Sequence, residues 1–138
     1  MEESLICDLS KAVTEDIKEY SPLTLAFIGD GVYELFVRTQ IVKNTNAPAS
    51  QLHKRCVKYV RAQGQCVSLD AMLPHLTEEE TDVFKRGRNT KINTKAKNAT
   101  LAEYKKATGF EALIGYLYVT KRTERLEILM QMAFDAIE

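Results

Sequence analysis

Apolar residues recur along this chain at spacings of three and four rather than two, so the pattern predicts helices throughout. A first helix is expected over residues 6–20. Ser21 and Pro22 then read as an N-cap and a proline in the first turn, opening a helix over about 22–43. Its apolar stripe is Leu25, Ile28, Val32, Leu35 and Phe36. Residues 44–47 break the pattern. One long helix is predicted from near Pro48 toward Leu73, with Leu52, Cys56, Tyr59 or Val60, Gln63 and Val67 facing inward; Pro74 stops it. Thr77 and Glu80 have the spacing of a capping box, and the helix they open carries Val83 and Phe84 and ends at Gly87. Residues 88–99, rich in Asn, Thr and Lys, lack periodicity and read as a loop. The helix over 101–121 is nearly apolar from 110 to 119, which places it at the centre of the fold, and an amphipathic helix over 123–137 closes the chain. No strand alternation competes. The expected class is all-α, with residues 1–138 forming a single domain.

Composition adds little until charge is mapped along the chain. A hydrophobic share of 45% allows a proper core, and the apolar runs are far too short to span a membrane. Residues 1–10 are acidic and mixed, unlike a secretory signal. Cys7, Cys56 and Cys66 contain no Cys-x-x-Cys pair, and His53 and His75 complete no zinc site, so reduced cysteines in a cytoplasmic protein are expected. Lys plus Arg and Asp plus Glu both number 19, a net charge of zero. The charges are nevertheless segregated. No acid falls between Glu34 and Asp70, where Arg38, Lys43, Lys54, Arg55, Lys58 and Arg61 lie. None falls between Asp82 and Glu103, where Lys85, Arg86, Arg88, Lys91, Lys95 and Lys97 lie. A fold that collects these runs gains a basic face suited to phosphates, although a charge run can equally be a solvated surface.

Two carboxylates interrupt apolar helices. Asp30 sits between Gly29 and Gly31, each of which costs about 1 kcal/mol of helix stability relative to alanine. Such a cost points to close approach by another backbone. Glu34 follows one turn later, as an accessory acid or as an i to i+4 partner of Arg38. Glu111 opens the most apolar run in the chain. A buried carboxylate has to be paired, neutralised or bound to a metal. Two of them on different helices can converge on a hard cation such as Mg²⁺. Caps, or ion pairs with Arg38, Arg88 or a lysine, satisfy the same pattern.

The segments Phe27-Ile28-Gly29-Asp30 and Phe110-Glu111-Ala112-Leu113-Ile114-Gly115 resemble the two halves of the ribonuclease III signature. With Leu52-His53-Lys54-Arg55 and Lys85-Arg86-Gly87-Arg88-Asn89 they stand in the family's order, and the resemblance is greatest to its Mini-ribonuclease III branch, which lacks the double-stranded-RNA-binding domain. The resemblance implies the ribonuclease III endonuclease fold and a two-fold homodimer packed through the Gly29 to Gly31 helix. It implies Mg²⁺, replaceable by Mn²⁺, held by Asp30 and Glu111, and cleavage of double-stranded RNA to a 5′-phosphate and a 3′-hydroxyl. Lys54, Arg55, Lys85, Arg86, Arg88, Asn89, Lys91, Lys95 and Lys97 are the RNA-binding candidates. The branch matures large-subunit ribosomal RNA precursors, and a ribosomal protein is a possible partner. This chain departs from the longer family members by holding Leu23, Ala26 and Thr108 where they carry further acids, which counts against a tightly held second metal. It also keeps open a non-catalytic RNA-binding or ribosome-associated module and, more remotely, a helical dimerisation adaptor.

Overall fold

A computed structural model of the chain describes residues 20–92 and 99–137. The helix expected over 6–20, and Cys7, lie outside them. The described residues form six α-helices and one 3-10 turn, with no strand: α1 Pro22–Val42, α2 Ala49–Val60, α3 Ala62–Met72, the turn Leu73–His75, α4 Glu78–Arg88, α5 Leu101–Val119 and α6 Thr123–Asp135.

α5 is the centre of the fold. From Ala107 to Val119 only Glu111 and Tyr116 escape full burial, because α1, α3, α4 and α6 all pack against it. The near-continuous apolar run is what surrounds a helix with neighbours on every side. Tyr33 of α1 meets Phe110 of α5 edge to face, with ring centroids 4.9 Å apart.

Local rules set the helix starts. The Ser21 hydroxyl accepts from the Thr24 amide at 3.1 Å, with Pro22 in the first turn. Thr77 and Glu80 form the expected capping box at the start of α4. Thr100 and Glu103 form another at the start of α5. Glu80 is also held from outside its helix. Arg125 of α6 donates to both carboxylate oxygens, at 2.7 and 2.8 Å, and to the His75 carbonyl at 2.7 Å. That bidentate pair keeps the Glu80 carboxyl below its usual range and ties α4 to α6.

Three expectations are corrected. The helix predicted from Pro48 to Leu73 is broken at Arg61, whose backbone is extended (φ −69°, ψ 159°). Gly64 allows the break, because any side chain there would overlap the carbonyl of Lys58 as α3 folds back on α2. The break resets the buried face of α3: Gly64, Gln65, Ser68, Leu69 and Met72 turn inward, while Val67 is exposed. On α1 the core face is Leu25, Ala26, Gly29, Val32, Tyr33, Val37 and Ile41, and Leu35 is exposed. Gly87 does not end α4. It lies within the last turn, buried where a Cβ would come 2.8 Å from that of Ala112.

Candidate active site

The crossing of α1 and α5 is set by two glycines. A Cβ on Gly29 would overlap the Glu111 carbonyl oxygen and come 2.7 Å from the Gly115 amide nitrogen. A Cβ on Gly115 would overlap the Leu25 carbonyl. The backbones can approach this closely only without side chains. The contact puts Asp30, the next residue on α1, beside Glu111 on α5. Gly29 is therefore spent inside the chain rather than at an interface between copies. Gly31 meets nothing within 4 Å and is exposed.

Asp30 is exposed and Glu111 half-buried, so the two carboxylates meet at the protein surface rather than deep in the core. Their side chains lie within hydrogen-bonding reach. Burial first, and the Asp30 charge second, push the Glu111 carboxyl up to about 8. The opposing influence is Gln65 of α3, whose Nε2 donates to Glu111 Oε2 at 3.4 Å. Among the described residues no cationic side chain pairs with either acid. Arg38 pairs with Glu34 at 3.2 Å, and Arg88 donates to Asn89 at 3.0 Å, so the ion-pair alternatives through those arginines are not what forms.

The accessory candidates have partners of their own. Glu34 takes its i to i+4 option with Arg38. Thr108 is buried and donates to the Tyr104 carbonyl of its own helix at 2.9 Å. Among the described residues no group of three or more His, Cys, Asp and Glu side chains gathers in metal-binding geometry.

The basic candidates divide by element. Lys54 and Arg55 are exposed on α2, which packs on α1. Lys85 and Arg86 are exposed on the last turn of α4. Arg88 lies 5.4 Å over the Phe84 ring. Asn89 and Lys91 are exposed beyond the helix. Gly87 brings this end of α4 against Thr108, Gly109 and Ala112, beside the turn of α5 that carries Glu111. Lys95 and Lys97 lie outside the described residues. Cys56 and Cys66 are free thiols.

Periodicity alone missed Gln65. The unbroken-helix reading turned Gln63 inward in its place. The neighbouring Gly64 was the available signal, of the same kind that marked Gly29.

A model of the ribonuclease III domain matches residues 23–122, a stretch that contains both acids, Gln65 and the basic end of α4. The chain belongs to the ribonuclease III family. Within it, the chain is 48% identical over 125 residues to the Mini-ribonuclease 3 of Clostridium tetani, covering 90% of this chain and 83% of that protein. It is 46% identical over 116 residues to that of Staphylococcus aureus, covering 83% and 87%. A crystal structure of a protein from Fusobacterium nucleatum shares the fold with a TM-score of 0.76 at 30% identity, covering 88% of this chain and 98% of that one. This Mini-ribonuclease branch is where the sequence resemblance pointed. The family makes the chain an endoribonuclease acting on RNA. Among the described residues no helix is long and apolar enough to cross a membrane.

Proposed function

We propose that this ribonuclease cuts double-stranded RNA with the help of a divalent cation, Mg²⁺ or in its place Mn²⁺, held by Asp30 and Glu111. The observation that carries this reading is the meeting of two carboxylates from different helices, with no basic side chain among the described residues paired to either. Two like charges forced together are costly unless a cation or a shared proton joins them. Oxygen donors of this kind fit a hard cation, and the amide of Gln65 donates to one of the Glu111 oxygens. The bound cation would activate water and offset charge on the scissile phosphate.

The chain's own residues do the rest. Asp30 presents its carboxylate at the surface, where a phosphate can reach it. Lys85, Arg86, Arg88 and Asn89 flank the Glu111 turn and would meet phosphates of the duplex, giving binding without base readout. Lys54 and Arg55 on α2 are the second basic group, and Lys91, Lys95 and Lys97, which follow the first in the sequence, are further candidates. Cleavage would leave a 5′-phosphate and a 3′-hydroxyl.

A homodimer completes the proposal by supplying one site per strand. Its support is the apolar face left open on α1, where Phe27 is 84% exposed, beside Leu23, Leu35 and the bare backbone of Gly31. A large-subunit ribosomal RNA precursor is the proposed substrate, and a ribosomal protein a proposed helper, on the strength of the family resemblance. A non-catalytic RNA-binding dimer is the competing reading, favoured by Leu23, Ala26 and Thr108 in place of acids.

Incubating the purified protein with a long RNA duplex and with one of its strands, in Mg²⁺ and in EDTA, separates them. Cutting of the duplex alone, and only with the cation, is the expected result. Binding without cutting in any metal would leave the non-catalytic reading in its place.

A further inference from the structure

Gln65 is 2% exposed, on a helix face otherwise given to Gly64, Ser68, Leu69 and Met72. A buried amide without a partner is destabilising, so its presence among core residues needs a reason. Ser68, its buried polar neighbour on the same face, is accounted for structurally, since its hydroxyl donates to the Ala133 carbonyl of α6 at 2.7 Å. The amide nitrogen of Gln65 goes instead to Glu111 Oε2, at 3.4 Å. Glu111 therefore has an acid on one side and a neutral donor on the other. A carboxylate kept for structure would be matched by a base, as Glu80 is by Arg125. An arginine or lysine in the place of Gln65 would compete with any cation for Glu111, and an apolar residue would leave the carboxylate free to turn. The extended residue at Arg61 and the tight contact at Gly64 are what rotate α3 so that Gln65 turns inward toward the site.

We infer that Gln65 is a positioning residue for the cation site: its amide fixes one oxygen of Glu111 so that the other is presented with Asp30. The inference rests on the metal reading above. Groups that orient a metal ligand typically contribute about 10–100-fold in affinity.

The test is Mn²⁺ binding to the RNA-free protein, followed by the paramagnetic resonance of the free ion, for wild type, Gln65→Met and Glu111→Gln. Methionine keeps the length and loses the donor. Gln65→Met should bind Mn²⁺ about 10–100-fold more weakly, and its cleavage rate should recover toward wild type at saturating Mg²⁺. A purely structural role would lower the melting temperature and leave the affinity of the folded protein unchanged. If Gln65→Met does not fold, Gln65→Asn, which withdraws the donor by one methylene, should show the same weakening. Unchanged Mn²⁺ affinity in a folded variant, alongside lost binding in Glu111→Gln, overturns the role of Gln65 alone. Wild-type Mn²⁺ binding by Glu111→Gln overturns the metal reading, and the inference with it.

Discussion

A carboxyl group that is taken out of water and then given an acid for a neighbour holds its proton late, and Glu111 is such a group. The folded protein binds this proton more tightly than the unfolded chain, where the carboxyl titrates at its ordinary 4.5. The stabilising contribution is therefore full below 4.5 and is lost as pH rises through about 8. Melting temperature measured in EDTA should fall across that window. Glu111→Gln, which cannot ionise, should flatten the curve. At the alkaline end Mg²⁺ should raise the melting temperature again, because a ligand bound only by the native state stabilises it. A wild-type curve in EDTA that is as flat as that of Glu111→Gln would show that Asp30 does not burden Glu111. The two acids themselves were legible in the sequence, since each interrupts an apolar run. Their mutual contact was expected from the family resemblance and not from the pattern, because nothing in a linear pattern fixes where two helices cross. That information lies in Gly29 and Gly115, whose missing side chains are explained only by the partner backbone.

Among the elements, α1 and α4 to α6 form over about the expected ranges, with side-chain caps on α1, α4 and α5, whereas the single helix expected over 48–73 becomes two. The stripe continues through Arg61 on a helical wheel, and no proline interrupts it. What ends α2 is the return of α3 over the Lys58 carbonyl at Gly64, a tertiary contact that overrides local preference. The same kind of contact explains Gly87, which serves the packing of α4 on α5 and not the helix end. That packing bears on RNA binding. It holds Arg86 and Arg88 beside the Glu111 turn, and phosphate contacts there should make affinity steeply salt-dependent. Replacing both arginines by alanine should weaken binding to all duplexes and flatten the salt slope by about 2, given a slope near −0.9 per phosphate if duplex RNA behaves as DNA does. The check is affinity against salt on a duplex blocked from cleavage. Parallel plots of equal affinity would make this end of α4 a solvated face and move the RNA toward Lys54 and Arg55.

On the scale of the whole molecule, α1 has two apolar faces with different roles. One is core. The other exposes Leu23, Phe27 and Leu35, and Phe27 and Leu35 with Ile28, Gly31, Val32 and Tyr118 line a shallow groove that includes Asp30. The proposed two-fold dimer would bury the apolar part of this face, with Asp30 left at its edge and open to RNA. Light scattering should give about twice the 15.6 kDa chain mass, and Gly31→Leu should shift the protein toward monomer. A clean monomer at micromolar concentration would remove the paired sites and any staggered cut of both strands.

The central claim, that Asp30 and Glu111 serve one cation in one reaction, is tested most directly by single-turnover cleavage of a duplex RNA in Mg²⁺ by Asp30→Asn, Glu111→Gln and the double variant, with folding checked by melting in EDTA. Each single change should lower the rate by more than the about 100-fold typical of a supporting residue. The double variant should be little worse than either, because groups that act as a unit fail as a unit. Losses that multiply, or a folded single variant that cuts at the wild-type rate, would contradict it.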